Sequence, residues 1–161
     1  MSDPAFDELL RRLVAADVRF VLIGGLAINA WGVVRGTKDI DIVADPDPAN
    51  LGRLAEVAVS AGGQVQKRDA FVSSGPGIGD LLARGERVEI ETTLGHLDVV
   101  HGLPGVPSYS ELRGRATTAE ILGVEVAVCS LEDLRTMKRA AGRTRDLADL
   151  EDLDLAHGED S

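Results

Sequence analysis

Aromatic side chains are nearly missing from this chain: Phe, Trp and Tyr supply 3% of its 161 residues. That scarcity argues against recognition of single-stranded nucleic acid on a platform of stacked rings, and it leaves Leu, Val, Ile and Ala to fill the interior. Cysteine is equally scarce. Cys129 stands alone in the run "VEVAVCS", so an internal disulfide is excluded and the thiol reads as a small hydrophobe in a reducing compartment. Long apolar stretches are lacking too. The longest uncharged run, Phe20 to Val34, has 15 residues interrupted by Gly24, Gly25, Asn29 and Gly32, short of the roughly 20 that span a bilayer. The opening "MSDPAFDELLRR" carries acids where a secretory leader needs bases, so a cytoplasmic, membrane-free protein is expected.

Positive charge is also in deficit. The net charge of -10 opposes binding to phosphate backbones, yet its distribution is uneven. Residues 146–161 hold seven acids and no Lys or Arg, which leaves 20 acids against 17 bases in residues 1–145. Just before that acidic end, Arg135, Lys138, Arg139, Arg143 and Arg145 fall within eleven residues that contain no acid. Such a run is a solvated helix face or an anion-binding surface. The length suits one domain, residues 1–161, with the acidic end 154–161 expected to be flexible.

Hydrophobic spacing organises the chain. Residues 3–16 place Phe6, Leu9, Leu10, Leu13 and Val14 at helical intervals behind an Asp-Pro start. "RFVLIGG" reads as a buried strand, "LAINAWGVV" as a short helix and "KDIDIVA" as a period-two strand. "PANLGRLAEVAVSAGG" predicts an amphipathic helix, while "SSGPGIGD" within the less legible residues 64–86 predicts a loop. "RVEIETTL" and "HLDVV" form two strands joined at Gly95, and "TTAEILGVEVAVC" forms a second hairpin turning at Gly123. Ser130 with Asp133 opens a helix whose apolar face is Leu131, Leu134, Met137 and Ala141, ending at Gly142; Thr144 caps a last helix. The pattern implies an α/β (α+β) fold in which a mixed sheet is flanked by helices and the C-terminal end is helical.

Within "KDIDIVA", Asp39 and Asp41 alternate with Ile40 and Ile42. On a strand, residues two apart share a face about 6.6 Å apart along the chain; on a helix they would diverge by about 200°. Two unpaired carboxylates side by side cost several kcal/mol each when buried, roughly, and a divalent cation relieves that cost. Oxygen-only ligands select Mg²⁺ or Mn²⁺. Gly24 and Gly25, between a strand and a helix, suit backbone contact with phosphate, although tight turns use glycine as well. Arg35 and Thr37 add a guanidinium and a hydroxyl just before the acids.

A strand ending in Gly-Gly, a short helix, then Arg-x-Thr-x-Asp-x-Asp resembles the core motif of the DNA polymerase beta-like nucleotidyltransferase superfamily. The resemblance implies a third carboxylate from a later strand. Asp98 in "HLDVV" matches it, with Glu89 and Glu91 as competitors that suit exposed strand positions. "SLEDLRTMKRAAGRTRDLADLEDL" is similar to the closing segment of small bacterial members related to AbiEii-type toxins. There Lys138 corresponds to a helix lysine that meets nucleotide phosphates, and Arg145, Asp146 and Asp149 match an "RDxxD" pattern expected to be structural. One departure is Gly25, where many superfamily members carry Ser.

The resemblance implies transfer of a nucleoside monophosphate from an NTP such as ATP to an acceptor hydroxyl. Asp39, Asp41 and Asp98 would be catalytic and would hold Mg²⁺ or Mn²⁺; Gly24, Gly25, Arg35, Thr37 and Lys138 would bind the nucleotide. A toxin-like enzyme acting on RNA, in particular tRNA, with a cognate antitoxin as partner, is the first expectation. An enzyme that modifies a small antibiotic of the aminoglycoside or lincosamide kind is the second, and a non-catalytic nucleotide- or partner-binding relative the third.

Overall fold

The computed structural model describes residues 4–158. Helix α1 (Phe6–Ala15) is amphipathic and buries Leu9, Leu10 and Leu13 completely. Asp3, part of the expected helix start, lies outside the described residues. The next three elements follow the sequence pattern closely: β1 (Phe20–Ile23), α2 (Gly24–Ala30) and β2 (Asp39–Ala44). Helix α2 begins two residues before the expected "LAINAWGVV", at the glycine pair, and stops at Ala30. Asn29 explains the early stop: its Nδ2 donates to the carbonyls of Val33 and Arg35, at 2.8 and 3.0 Å. The chain is thereby folded back on the helix, in keeping with the preference of such amides for local backbone partners over continued helix.

Helix α3 (Pro48–Ser60) leads to a short hairpin of β3 (Val65–Lys67) and β4 (Ala70–Val72). The segment "SSGPGIGD", expected as a loop, is instead the start of helix α4 (Gly75–Ala83). Ser74 Oγ accepts the Gly77 N–H at 3.0 Å and Pro76 occupies the first turn, where a missing N–H costs nothing. Ile78, Leu81 and Leu82 are buried, so a serine cap, a first-turn proline and an apolar face make a helix of this glycine-rich segment.

Strands β5 (Val88–Thr92) and β6 (Gly95–Val99) pair through a turn at Thr93 and Leu94, with Gly95 the first residue of β6. A helix with no counterpart in the sequence reading, α5 (Tyr109–Arg115), is fixed by a capping box in which Ser108 and Glu111 exchange hydrogen bonds. β7 (Thr117–Ile121) and β8 (Val124–Val128) form the second hairpin around Leu122 and Gly123. α6 (Leu131–Ala141) has its Ser130 cap and ends on left-handed Gly142, as expected. α7 (Thr144–His157) differs at its start, because Arg143 is the cap and Thr144 the first helical residue. Residues 154–157 of the expected flexible end belong to α7; 159–161 lie outside the described residues.

Six strands form one mixed sheet in the order β5-β6-β2-β1-β8-β7. β2 runs antiparallel to β1 and parallel to β6, and β1 runs parallel to β8. Ile40 and Ile42 of β2 and Leu97 and Val99 of β6, on one face of this adjacent pair, are fully buried. The opposite face carries the acids. This is the mixed sheet with flanking helices that the pattern implies.

Candidate functional site

The sheet register decides where the carboxylates meet. Asp41 pairs with Ile23 on one side and with Asp98 on the other, while Asp39 pairs with His96. Residues directly opposite each other project to the same face, so Asp39, Asp41 and Asp98 rise together at the end of β1 where Gly24 begins α2. They line a pocket of about 270 Å³. Every residue singled out in the sequence for this site, namely Gly24, Gly25, Arg35, Thr37, Asp39, Asp41, Asp98 and Lys138, lies on its wall.

Both glycines are required by what faces them. Gly24 is left-handed, with φ +70, and a Cβ there would fall 2.1 Å from Asp41 Oδ2. A Cβ on Gly25 would fall 2.6 Å from Thr37 Oγ1 and 2.8 Å from its Cβ. The loop after α2 therefore packs Thr37 onto the glycine turn, and the Thr37 hydroxyl donates to the Asp39 carbonyl at 3.0 Å. The departure from Ser at position 25 is matched to Thr37, which fills the space.

The three acids have unlike surroundings. Among the described residues no hydrogen bond reaches the carboxylate of Asp39 or Asp41. Burial, then repulsion from Asp98 and Asp39, pushes the Asp41 carboxyl up to about 6. Asp98, by contrast, is held by Arg87, whose Nε donates to both carboxylate oxygens at 3.0 Å and whose Nη2 also donates to Oδ2. Among the described residues no three His, Cys, Asp or Glu are already gathered as a metal cage; with Arg87 on Asp98, the acids share the pocket without closing on one point. The competitors Glu89 and Glu91 are exposed, and both face His96.

The cations are engaged as well. Lys138 is buried on α6, and its Nζ lies 3.2 Å from Asp146 Oδ1 and 3.0 Å from Asp149 Oδ2, both on α7. Arg35 Nη1 reaches the same Asp149 oxygen at 3.1 Å, and Arg143 Nε reaches Asp146 Oδ2 at 2.7 Å. Asp146 and Asp149 of the "RDxxD" pattern thus lie behind the basic groups and tether them, while Arg145 lies on the pocket wall. Burial pushes the Asp146 carboxyl up, but Arg143 and Lys138 outweigh it and hold the group below its usual range. Arg135, also buried, pairs with Asp154 and donates to the Gly158 carbonyl. The basic run is therefore partly an internal one.

Two contributors escaped the sequence reading. Arg87 was one, although a two-residue turn at 93–94 sets the hairpin register that brings the start of β5 beside Asp98. The other is an apolar wall of Val100, Leu103, Val106, Leu134, Met137 and Ala141, drawn from elements distant in sequence. Cys129 is buried, and burial raises its thiol to about 12, so it is a packing residue.

The whole arrangement gathers four aspartates and five cationic side chains around one pocket. Similar folds occur among enzymes of known structure. LnuA, a lincosamide antibiotic adenylyltransferase solved with lincomycin, superposes with a TM-score of 0.65 at 14% identity, over 93% of this chain and 94% of its own. ANT(2")-Ia in complex with adenylyl-2"-tobramycin gives 0.61 at 16%, over 94% and 86%. An antigenic nucleotidyltransferase-like protein from Paracoccidioides brasiliensis gives 0.60 at 18%, over 96% and 78%. No curated protein matches the sequence. The family model described as "Nucleotidyl transferase AbiEii toxin, Type IV TA system" matches residues 8–159. Because that match spans almost the whole chain, site and fold included, the protein belongs to the AbiEii family of toxin nucleotidyltransferases and is a nucleotidyltransferase.

Proposed function

We propose that residues 1–161 act as one nucleotidyltransferase domain that moves a nucleoside monophosphate from an NTP to an acceptor hydroxyl in this pocket. The carrying observation is the juxtaposition of Asp39, Asp41 and Asp98 with Arg35, Arg87, Lys138, Arg143 and Arg145 in a protein whose net charge is -10. The pocket gathers cationic groups that a triphosphate can meet in an otherwise acidic molecule. The acceptor oxygen bonds to the α-phosphorus, the bond from that phosphorus to the β-phosphate oxygen breaks, and pyrophosphate departs. Asp98 takes the acceptor's proton. Arg35 and Lys138, with Thr37 and the backbone N–H groups of Gly24 and Gly25, hold the leaving phosphates. Positioning and charge neutralisation supply most of the rate.

Asp39, Asp41 and Asp98 suit a divalent ion, Mg²⁺ or Mn²⁺, because their oxygens are hard donors and, among the described residues, the half-buried Asp41 has no cation bonded to it. When bound, such an ion would neutralise the charge that builds on the phosphates during transfer.

RNA, in particular a tRNA 3' end, is the first acceptor, with Arg143 and Arg145 at the pocket wall to meet its phosphates; membership of a toxin family of type IV systems supports an antitoxin protein as partner. A cationic small molecule is the second reading. It is favoured by the acidic surface and by the internal use of Arg135 and Lys138, which narrows the exposed basic area; LnuA and the tobramycin-modifying enzyme share the fold. The test incubates the protein, Mg²⁺ and α-labelled NTP with total RNA, protein and aminoglycosides. Label should appear in RNA and disappear with Asp39→Asn or Asp41→Asn; undiminished labelling in both variants overturns the site, and label in the aminoglycoside selects the second reading.

A further inference from the structure

Asp98 is the one acid of the three that is already neutralised, and the neutralising group comes from outside the expected motif. Its side chain is 4% exposed, and among the described residues its charge partner is Arg87, which covers both carboxylate oxygens. Arg87 is rooted in the turn between α4 and β5, at the edge strand of the sheet, and its side chain is 45% exposed. Its Nη2 also lies 3.4 Å from Glu89 Oε1 on the rim. The guanidinium can therefore turn away from Asp98 without disturbing the core. Asp98 itself, on β6 between Leu97 and Val99, cannot move so easily.

We propose that Arg87 is a positioning residue that occupies Asp98 in the free protein and leaves it when a triphosphate arrives, making divalent-cation binding at Asp39, Asp41 and Asp98 conditional on nucleotide. The inference rests on the metal-binding reading of these acids. Its physics is direct. A divalent ion approaching Asp98 meets a guanidinium on both oxygens and is repelled; the phosphates offer that guanidinium an equivalent bidentate anion within the same pocket. Once Arg87 has moved to phosphate, Asp98 regains two free oxygens beside Asp41. The arrangement prevents an ion from being held without its substrate.

The experiment titrates Mn²⁺ into the full chain by electron paramagnetic resonance, with and without a non-hydrolysable NTP analogue. Wild type should bind Mn²⁺ at least tenfold more tightly with the analogue. Arg87→Met should bind Mn²⁺ at least tenfold more tightly than wild type without nucleotide and lose most of the analogue's effect, with Arg87→Lys between the two. Circular dichroism checks that each variant folds, and Arg87→Lys, which keeps the charge, carries the test if Arg87→Met does not. Unchanged or weaker Mn²⁺ binding by the folded Arg87 variants, while Asp41→Asn abolishes it, overturns the role of Arg87 and leaves the metal reading standing. Mn²⁺ binding that ignores Asp41→Asn overturns both.

Discussion

Side chains two residues apart on a strand share a face, and for Asp39 and Asp41 that fact was enough to mark a candidate site. What the residue scale adds is the reason for their neighbours. Gly25 departs from the Ser frequent in the superfamily because Thr37 already fills the space that a side chain would need. Restoring Ser is therefore expected to harm the protein. Gly25→Ser should lower stability in urea unfolding by about 1–3 kcal/mol, the usual cost of overpacking. Thr37→Ala should recover part of that loss, since it removes the hydroxyl but keeps the Cβ, and Thr37→Gly should recover more. Equal stability of Gly25→Ser and wild type would show that the loop yields freely.

At the scale of elements, α6 and α7 are joined by charges that the sequence scattered into a basic run and an acidic end. Lys138 is held between Asp146 and Asp149, and Asp149 also holds Arg35. Asp149→Ala, which takes the acid from Arg35 and leaves Lys138 with Asp146 alone, should cost about 1–3 kcal/mol; a chemical-denaturation midpoint equal to wild type would contradict this. Asp146 gives the same joint a pH dependence. Because its folded carboxyl lies below the ordinary 3.8, its contribution is fully present above that value and fades as the pH falls through the lowered folded value. Asp146→Asn should therefore flatten the acid limb of the stability profile below 3.8 and leave its shape unchanged above. The β7-β8 hairpin offers a gain instead. Leu122 sits at φ 53 beside Gly123 at φ 82, both left-handed, the geometry that favours Asn-Gly. Leu122→Asn should stabilise by about 0.5–1 kcal/mol and raise the melting temperature by a few degrees, on the order of 2–4.

For the whole molecule, acidity outside and mixed charge in the pocket set how an RNA acceptor would be held. Arg143 and Arg145 are exposed at the pocket, whereas Arg135 and Lys138 are committed inside. With about two phosphate contacts, the logarithm of RNA affinity should fall against the logarithm of salt with a slope near -1.4, roughly. A filter-binding slope of about -5 or steeper would demand a basic surface elsewhere. No helix among the described residues is long and apolar enough to cross a membrane.

Periodicity alone determined most elements here, since α1, β1, β2, α3 and the two hairpins bury what their spacing says they should. Local pattern also exposed the Gly-Gly turn and the Asp pair, because those contacts span few residues. It failed at α4, where glycine and proline signal a loop but stand in the first turns of a helix, and at α5, whose capping box precedes only one buried leucine, Leu112. Only the tertiary structure decided the charge partners. Sheet register put Asp98 beside Asp41, the hairpin turn put Arg87 on Asp98, and the docking of α7 put Asp146 and Asp149 on Lys138. Hydrophobic spacing is written along the chain because each element must bury its own face; the pairing of charges depends on which elements meet, and that is settled only when the sheet closes and the helices dock.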